Sequence, residues 1–291
     1  MSLPLNSTAI VCDGKLVQDA VTRPVPWWSF GKTVLAAAAM VLVRDGKLAL
    51  DIPLANQPYT LRQLLQHTAG VPNYSDLDIY TKEVECGAQP WPMADMLDRV
   101  QSGQLLFQPG QGWRYSNTGY LLVRQLIETA LGTDLQHALQ QLVFSPLAIA
   151  GVTVAAAPAD LLTTAWGNPG GYHPDWVYHG LLVGSPASAA LLLDRLLTGQ
   201  LLPASLLAEM MARVTLGNEL PGRPWFNFGY GLGCMMAQAG PAGKSCGHTG
   251  AGPGSVAAVY HFPDHRRTVA AFAPAADQSV VEWAVVEAAA G

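Results

Sequence analysis

The longest apolar run that is not interrupted by a charge is Thr33 to Val43, and its small and large hydrophobic residues fall on every side of a 3.6-residue period. That pattern predicts a helix buried all round rather than one lying on a surface. Asp45-Gly46 marks its expected end, because glycine accepts the left-handed conformation that closes helices. Ahead of it, Thr8 to Cys12 and Lys15 to Ala20 flank Asp13-Gly14, a turn signal for a β-hairpin, and Pro24 and Pro26 break the chain. Helical spacing returns in Leu61–Gln66 behind the capping residue Thr60, in Met93–Ser102, in Gly119–Leu131 with Gly132 as its stop, and in Leu135–Phe144. Phe107 to Asn117 is a loop by its Pro-Gly and glycine content. Ala155 to Tyr178, rich in glycine and proline, is the best candidate for a long functional loop.

The period then changes. Ser185-Pro186 opens a helix to Leu197, after which Gly229–Ala237, Lys244–His248, Ser255–Phe262 and Thr268–Ala273 read as strands separated by turn residues. Ser279 to Ala290 reads as a closing helix. Strands near both ends with helices between them predict an α+β fold, with an antiparallel sheet assembled from both termini and flanked by helices. The expected division is 1–47 with 180–291 for the sheet region and 48–179 for a mainly helical region, with the active site at their junction.

Composition narrows the function. The chain has 291 residues, of which 50% are hydrophobic and 13% charged, so much of it is interior. A net charge of -5, without acidic or basic runs, gives no footprint for nucleic acid. No apolar run reaches the roughly 20 residues needed to span a bilayer. The N-terminus has no signal-peptide pattern, so the chain as given is expected to be cytoplasmic, or periplasmic or secreted if an export signal was removed. Cys12, Cys86, Cys234 and Cys246 form no Cys-x-x-Cys pair, and no metal or other cofactor is expected.

The chemistry starts at Ser29-Phe-Gly-Lys32. On a helical path, residues three apart share a face, so the Lys32 amine can reach the Ser29 hydroxyl and take its proton. Backbone N-H groups at the start of the following helix could stabilise an oxyanion there. Ser-x-x-Lys alone is a common helix cap with a solvated lysine, so the rest of the chain must supply the context.

That context is present. Ser29-x-x-Lys32, Tyr115-Ser116-Asn117 and His248-Thr249-Gly250 resemble, in order, the three motifs of the serine β-lactamase and penicillin-binding-protein group. The Tyr-x-Asn version is similar to class C β-lactamases, D-alanyl-D-alanine carboxypeptidases, D-aminopeptidases and related esterases. Gly46–Asp51, Leu61–Pro72, Pro109-Gly110 and Gly229–Gly233 match as well, and the resemblance covers roughly residues 25 to 275.

The resemblance implies a β-lactamase-like fold and a role for each matched residue. Ser29 would be the acylated nucleophile, with Lys32 or Tyr115 as its base. Tyr115 would also return a proton to the leaving group and activate water. Asn117 would hold the substrate's amide oxygen and help orient Lys32. Thr249 would bind a substrate carboxylate or carbonyl along the edge strand His248-Thr249-Gly250, and the N-H groups of Ser29 and Ala251 would form the oxyanion hole.

The third motif carries histidine where lysine is commoner. His248 is charged only part of the time near neutrality, so grip on a carboxylate is weaker. The expected activity is therefore hydrolysis of a small-molecule ester or amide, including a β-lactam or D-amino-acid-containing one. A true β-lactamase or penicillin-binding DD-peptidase is the alternative, and a non-catalytic ligand-binding or sensor protein is the alternative of another class. His67-Thr68-Ala69-Gly70 reads as a structural turn, and His261 to His265 as a turn between strands rather than a zinc site. His173 and His179, with Trp166, Tyr172, Trp176 and Tyr178, are expected to line a cleft wall or pack on the surface, hinting at a bulky or apolar acyl group. The sequence leaves the oligomeric state open.

Overall fold

The structure is a computed structural model that describes residues 8–19 and 22–291. Ala20, the expected end of the hairpin, and the start of the chain lie outside the described residues. In chain order, β1 (Thr8–Cys12) and β2 (Lys15–Asp19) form that hairpin. The two-residue strand β3 (Val25–Pro26) and a 3-10 turn, Trp28–Phe30, lead into α1 (Gly31–Arg44). The helices α2 (Leu61–Leu65), α3 (Asp78–Glu85), α4 (Met93–Arg99), α5 (Asn117–Leu131) and α6 (Leu135–Leu139) follow, and a π-helical turn, Gln140–Phe144, extends the last of them. Then come β4 (Thr153–Ala155), α7 (Pro158–Leu162), β5 (Leu181–Gly184), α8 (Pro186–Leu197) and α9 (Ala204–Met211). The strands β6 (Val214–Glu219), β7 (Phe226–Tyr230), β8 (Met235–Gln238), β9 (Lys244–Gly252), β10 (Ser255–Phe262) and β11 (Arg267–Ala273) precede α10 (Ser279–Ala290).

Eight strands form one antiparallel sheet in the order β2-β1-β11-β10-β9-β8-β7-β6, so strands from both ends of the chain meet between β1 and β11. A sheet covered on both faces needs apolar residues at both parities, and β10 is buried at every position. Ala257 and Val259 join the core that holds α1 and α8, whereas Val256, Ala258 and Tyr260 join the layer that holds Val281, Val285 and Ala289 of α10. This parity also sets the direction of every side chain on β9, because directly opposed residues of an antiparallel pair share a face. His248 pairs with Val259, Thr249 with Ala258 and Gly250 with Ala257.

Burial of α1 matches its pattern, since Gly31 to Leu42 are all buried. Burying each of its large apolar side chains stabilises by about 1.5–3 kcal/mol. The small residues matter for approach. A Cβ at Gly233, which has φ +76°, would lie 2.4 Å from Ala36, and the Gly233 carbonyl accepts from the Thr33 hydroxyl at 2.7 Å. The Gly229–Gly233 stretch thereby docks the turn between β7 and β8 onto the nucleophile-bearing helix.

Several elements differ from expectation. Val25–Pro26 is not merely a break but pairs with β5, which also pairs with β4. The expected long loop, Ala155 to Tyr178, contains α7 and two 3-10 turns, and buries Tyr172, Trp176 and Tyr178. Gly229–Ala237 is the end of one strand and the start of another. α3 and β6 escape a hydrophobicity reading because neither contains a fully buried residue.

Candidate active site

Ser29 sits in the 3-10 turn ahead of α1, not in the helix itself. A 3-10 path brings residues three apart nearly into eclipse, and Lys32 Nζ lies 3.4 Å from Ser29 Oγ. The residue before the nucleophile, Trp28, has φ +45°, a left-handed conformation that is strained for a large side chain. Its indole holds it there by donating to Ser255 Oγ at 2.9 Å and lying flush against Gly252, where an added Cβ would come within 2.2 Å of the ring. No sequence signal marked Trp28; its role comes from the tertiary contact with β9 and β10.

Lys32 is completely buried. Burial holds its amine well below the ordinary lysine range, so the neutral base is accessible, and no carboxylate pairs with it among the described residues. Its second partner is His179 Nε2 at 3.1 Å. His179 is also buried and is driven towards the neutral form by burial first and by Lys32 second. Expected to line a cleft wall or pack on the surface, His179 lines the cavity at Ser29 and is also the imidazole that touches the amine.

Tyr115 brings the third group. Lys32 Nζ lies 5.0 Å from the centre of its ring. Burial pushes the phenol's pKa up, and interaction with the Ser29 side chain partly offsets this. The loop carrying Tyr115 is pinned by the stretch after α2: Arg114 N donates to His67 O at 3.0 Å, Gly110 N to Thr68 O at 2.8 Å, and Ser116 N to His67 Nδ1 at 3.1 Å. The His67 turn is left-handed at φ +63°, and its ring lies 4.3 Å from that of Tyr115. Beyond being a structural turn, His67 is thus the floor beneath the phenol. Ser116 then caps α5 by accepting from Gly119 N at 2.9 Å.

Asn117 lines the Ser29 cavity, but its amide nitrogen donates to Ser75 Oγ at 3.0 Å. The expected orientation of Lys32 by Asn117 is replaced by the contact with His179. His248 faces inward as its register requires, and it is wholly buried rather than displayed along the cleft. It sits 2.9 Å from the Tyr230 hydroxyl and 2.6 Å from the Thr249 carbonyl, to which Nδ1 donates. Burial, then the Lys32 charge, pushes its pKa down to about 3, so the expected partial positive charge is absent near neutrality.

Thr249 also departs from expectation. Sharing the face of Ala258, its hydroxyl points to the α10 side, where it meets Tyr260 and donates to Glu282. Its side chain therefore makes structural bonds with the back layer instead of facing the reacting serine. Gly250 occupies the serine side: a Cβ there would fall 2.6 Å from Ser29 N. Ala251 and Gly252 line the cavity, and β8 pairs with β9 only over Lys244–Gly247, leaving the edge at His248–Gly252 unpaired by that strand. An open edge beside the Ser29 amide is a place where backbone N-H groups can meet a carbonyl oxygen.

The cavity at Ser29 has a volume of about 360 Å³. Trp28, Tyr74, Tyr80 and Tyr172 supply aromatic walls, and Glu85 stands at its margin. Trp176 and Tyr178 pack behind, around Tyr80 and Tyr74, while Trp166 lies elsewhere, beside a smaller hollow. The other histidine pair noted in the sequence is divided: His261 belongs to β10 and contacts Thr268, and His265 lies in a turn.

Penicillin-binding protein 4* of Bacillus subtilis (strain 168) is 25% identical over 285 residues, covering 90% of this chain, and the chain spans 63% of that relative's length. Esterase EstB of Burkholderia gladioli is 30% identical over 139 residues, which are 41% of this chain and 35% of that protein. Among solved structures, D-amino acid amidase from Ochrobactrum anthropi SV3, complexed with L-phenylalanine, superposes with a TM-score of 0.80 at 21% identity, covering 97% of this chain and 90% of the other. That likeness establishes a β-lactamase-like fold. The family profile described as beta-lactamase matches residues 7–290, nearly the whole of the sheet, the helices and the Ser29 turn between them, and the chain belongs to that family.

Proposed function

We propose that this protein is a serine hydrolase that cleaves an ester or amide of a small molecule through an acyl-enzyme on Ser29. The observation that carries the reading is the 3.4 Å approach of a fully buried lysine amine, with no carboxylate partner among the described residues, to a hydroxyl that lines a cavity. Neutral Lys32 takes the Ser29 proton as Oγ attacks the carbonyl carbon. The Ser29 and Ala251 amides hold the oxyanion, and collapse expels the alkoxide or amine with a proton delivered through Tyr115. Water, deprotonated by the same pair, then releases the acid and regenerates the hydroxyl. His179 serves as a positioning residue, holding the amine towards Ser29. Asn117 and the strand edge at Gly250 and Ala251 would align the scissile group.

The neutral, buried His248 offers no charge, and the turned-away Thr249 no hydroxyl, to a substrate carboxylate, which disfavours penicillins and D-Ala-D-Ala termini as substrates. The aromatic cavity favours an uncharged acyl group with an apolar or aromatic substituent. Hydrolysis of p-nitrophenyl esters and of nitrocefin by the wild type and Ser29→Ala is the test, together with fluorophosphonate labelling read by peptide mass spectrometry. Ester turnover well above nitrocefin turnover, with label on Ser29, is expected. Label elsewhere overturns the assignment, and a labelling burst with no steady turnover favours a ligand-binding or sensor protein.

A further inference from the structure

Towards the opposite end of β9 from Gly250 lies a separate cavity of about 350 Å³, which shares no lining residue with the Ser29 cavity. Its floor is a row across three strands. Met236 of β8 stands opposite Cys246 of β9, which stands opposite His261 of β10, so the three side chains share one face. Lys244, two residues from Cys246, is on that face too and lies diagonal to His261, a separation that long side chains cross. Met211, at the end of α9, closes over the row with its sulfur 3.5 Å from Cys246 Sγ, and Leu197 and Leu207 add apolar walls. Arg213, two residues past Met211, also lines the cavity and is held in place: Nη2 donates to Asn227 Oδ1 at 3.0 Å and Nη1 to the Asn227 carbonyl.

The charge of this wall is of one sign. Arg213 and Lys244 line it, no Asp or Glu does, and neither cation has a carboxylate within 4.0 Å among the described residues. Asp264, outside the lining, is spent on the backbone, accepting from Lys244 N at 2.9 Å. Burial holds His261 below the ordinary histidine range, with Asp194 behind it only partly offsetting this. A hydrogen bond with Cys234, then burial, pushes the Cys246 thiol up, so neither side chain brings a negative charge at neutrality. Lys244 is exposed and Arg213 half-buried, so both cations are open to a ligand. An ammonium would be repelled here, and a neutral molecule would leave both cations unused. A carboxylate between them, with its hydrocarbon lying over Met211, Met236 and Leu197, uses the whole wall, and the volume is that of a small-molecule site. From these observations we infer that the cavity flanked by Arg213 and Lys244 is a second binding site, for small carboxylates with an apolar or aromatic body. This inference goes beyond the hydrolase reading and does not depend on it.

Calorimetric titration of Ser29→Ala with 4-phenylbutyrate, with its near-isosteric amide 4-phenylbutyramide and with inorganic phosphate tests it. The carboxylate is expected to bind about tenfold more tightly than either of the others. Lys244→Gln and Arg213→Gln should each weaken it about fivefold, while Lys82→Gln, outside this wall, leaves it unchanged. Lys244 is exposed, so its substitution keeps the test decisive if Arg213→Gln fails to fold. A diazirine analogue of the carboxylate should crosslink within residues 197–213 or 236–263 and not within 74–85. Equal affinity for carboxylate and amide, equal affinity for phosphate, indifference to Lys244→Gln, crosslinking at the Ser29 cavity, or no binding at millimolar carboxylate overturns the inference. Because Ser29→Ala is used throughout, a failure here says nothing about hydrolysis, and a failure of hydrolysis leaves this site standing.

Discussion

The contact between Gly250 and the nucleophile turn gives a quantitative test of how the site is held. In Gly250→Ala the new Cβ would lie 2.6 Å from Ser29 N and 2.8 Å from Trp28 Cβ, and neither atom is the tip of a flexible side chain. Ordinary van der Waals contact begins near 3.4 Å, so the Trp28–Phe30 turn and β9 must separate by roughly 0.8 Å, a displacement of the size that costs on the order of 100-fold in rate when reacting groups are misplaced. Overpacking should also lower stability by about 1–3 kcal/mol, which leaves a folded protein in which acylation can be measured. Gly103→Ala is the control, since an added Cβ there meets nothing within 4 Å. Pre-steady-state acylation by a p-nitrophenyl ester, alongside thermal melts, should show Gly250→Ala slowed on the order of 100-fold while Gly103→Ala stays near wild type. Acylation within threefold of wild type, with an unchanged melting temperature, would refute the reasoning.

Other expectations concern protons and the back of the strand. The His248 pKa of about 3 lies below the ordinary 6.5, so the unfolded chain binds a proton that the native state refuses. Stability is then full above pH 6.5 and falls as pH drops towards 3, with a loss of roughly 3 kcal/mol at about pH 4.5 from this group alone. His67 and His179 act in the same sense, and urea midpoints that stay flat between pH 7.5 and 4.5 would contradict it. Thr249→Val should cost about 1–3 kcal/mol by stranding Glu282 and Tyr260, with KM unchanged; a raised KM at unchanged stability would instead put Thr249 on the substrate. Lys32→Met removes the amine at similar volume and should slow Ser29 acylation by about 10²–10⁴-fold. In the wild type, the acidic limb of kcat/KM should lie well below the ordinary lysine range, because burial depresses the amine. A limb near that of free lysine would count against Lys32 as the base.

Much of this protein was legible in the sequence because its information is local or periodic. The all-round apolar character of α1, the Thr60 cap, the closing α10 and the strand Ser255–Phe262 follow from side-chain period and capping chemistry within a few residues. The spacing of Ser29 and Lys32 alone put an amine within reach of a hydroxyl. Tertiary structure decided what depends on register and burial. Whether Thr249 or Gly250 faced the serine hinged on pairing Thr249 with Ala258, and a one-residue slip would have exchanged them. His248 lost its charge because Tyr230 and the surrounding core exclude water from it, a property of packing that no tripeptide carries. His179 became the partner of Lys32, and Trp28 the brace of the nucleophile turn, only when segments about 150 and 225 residues away folded against them.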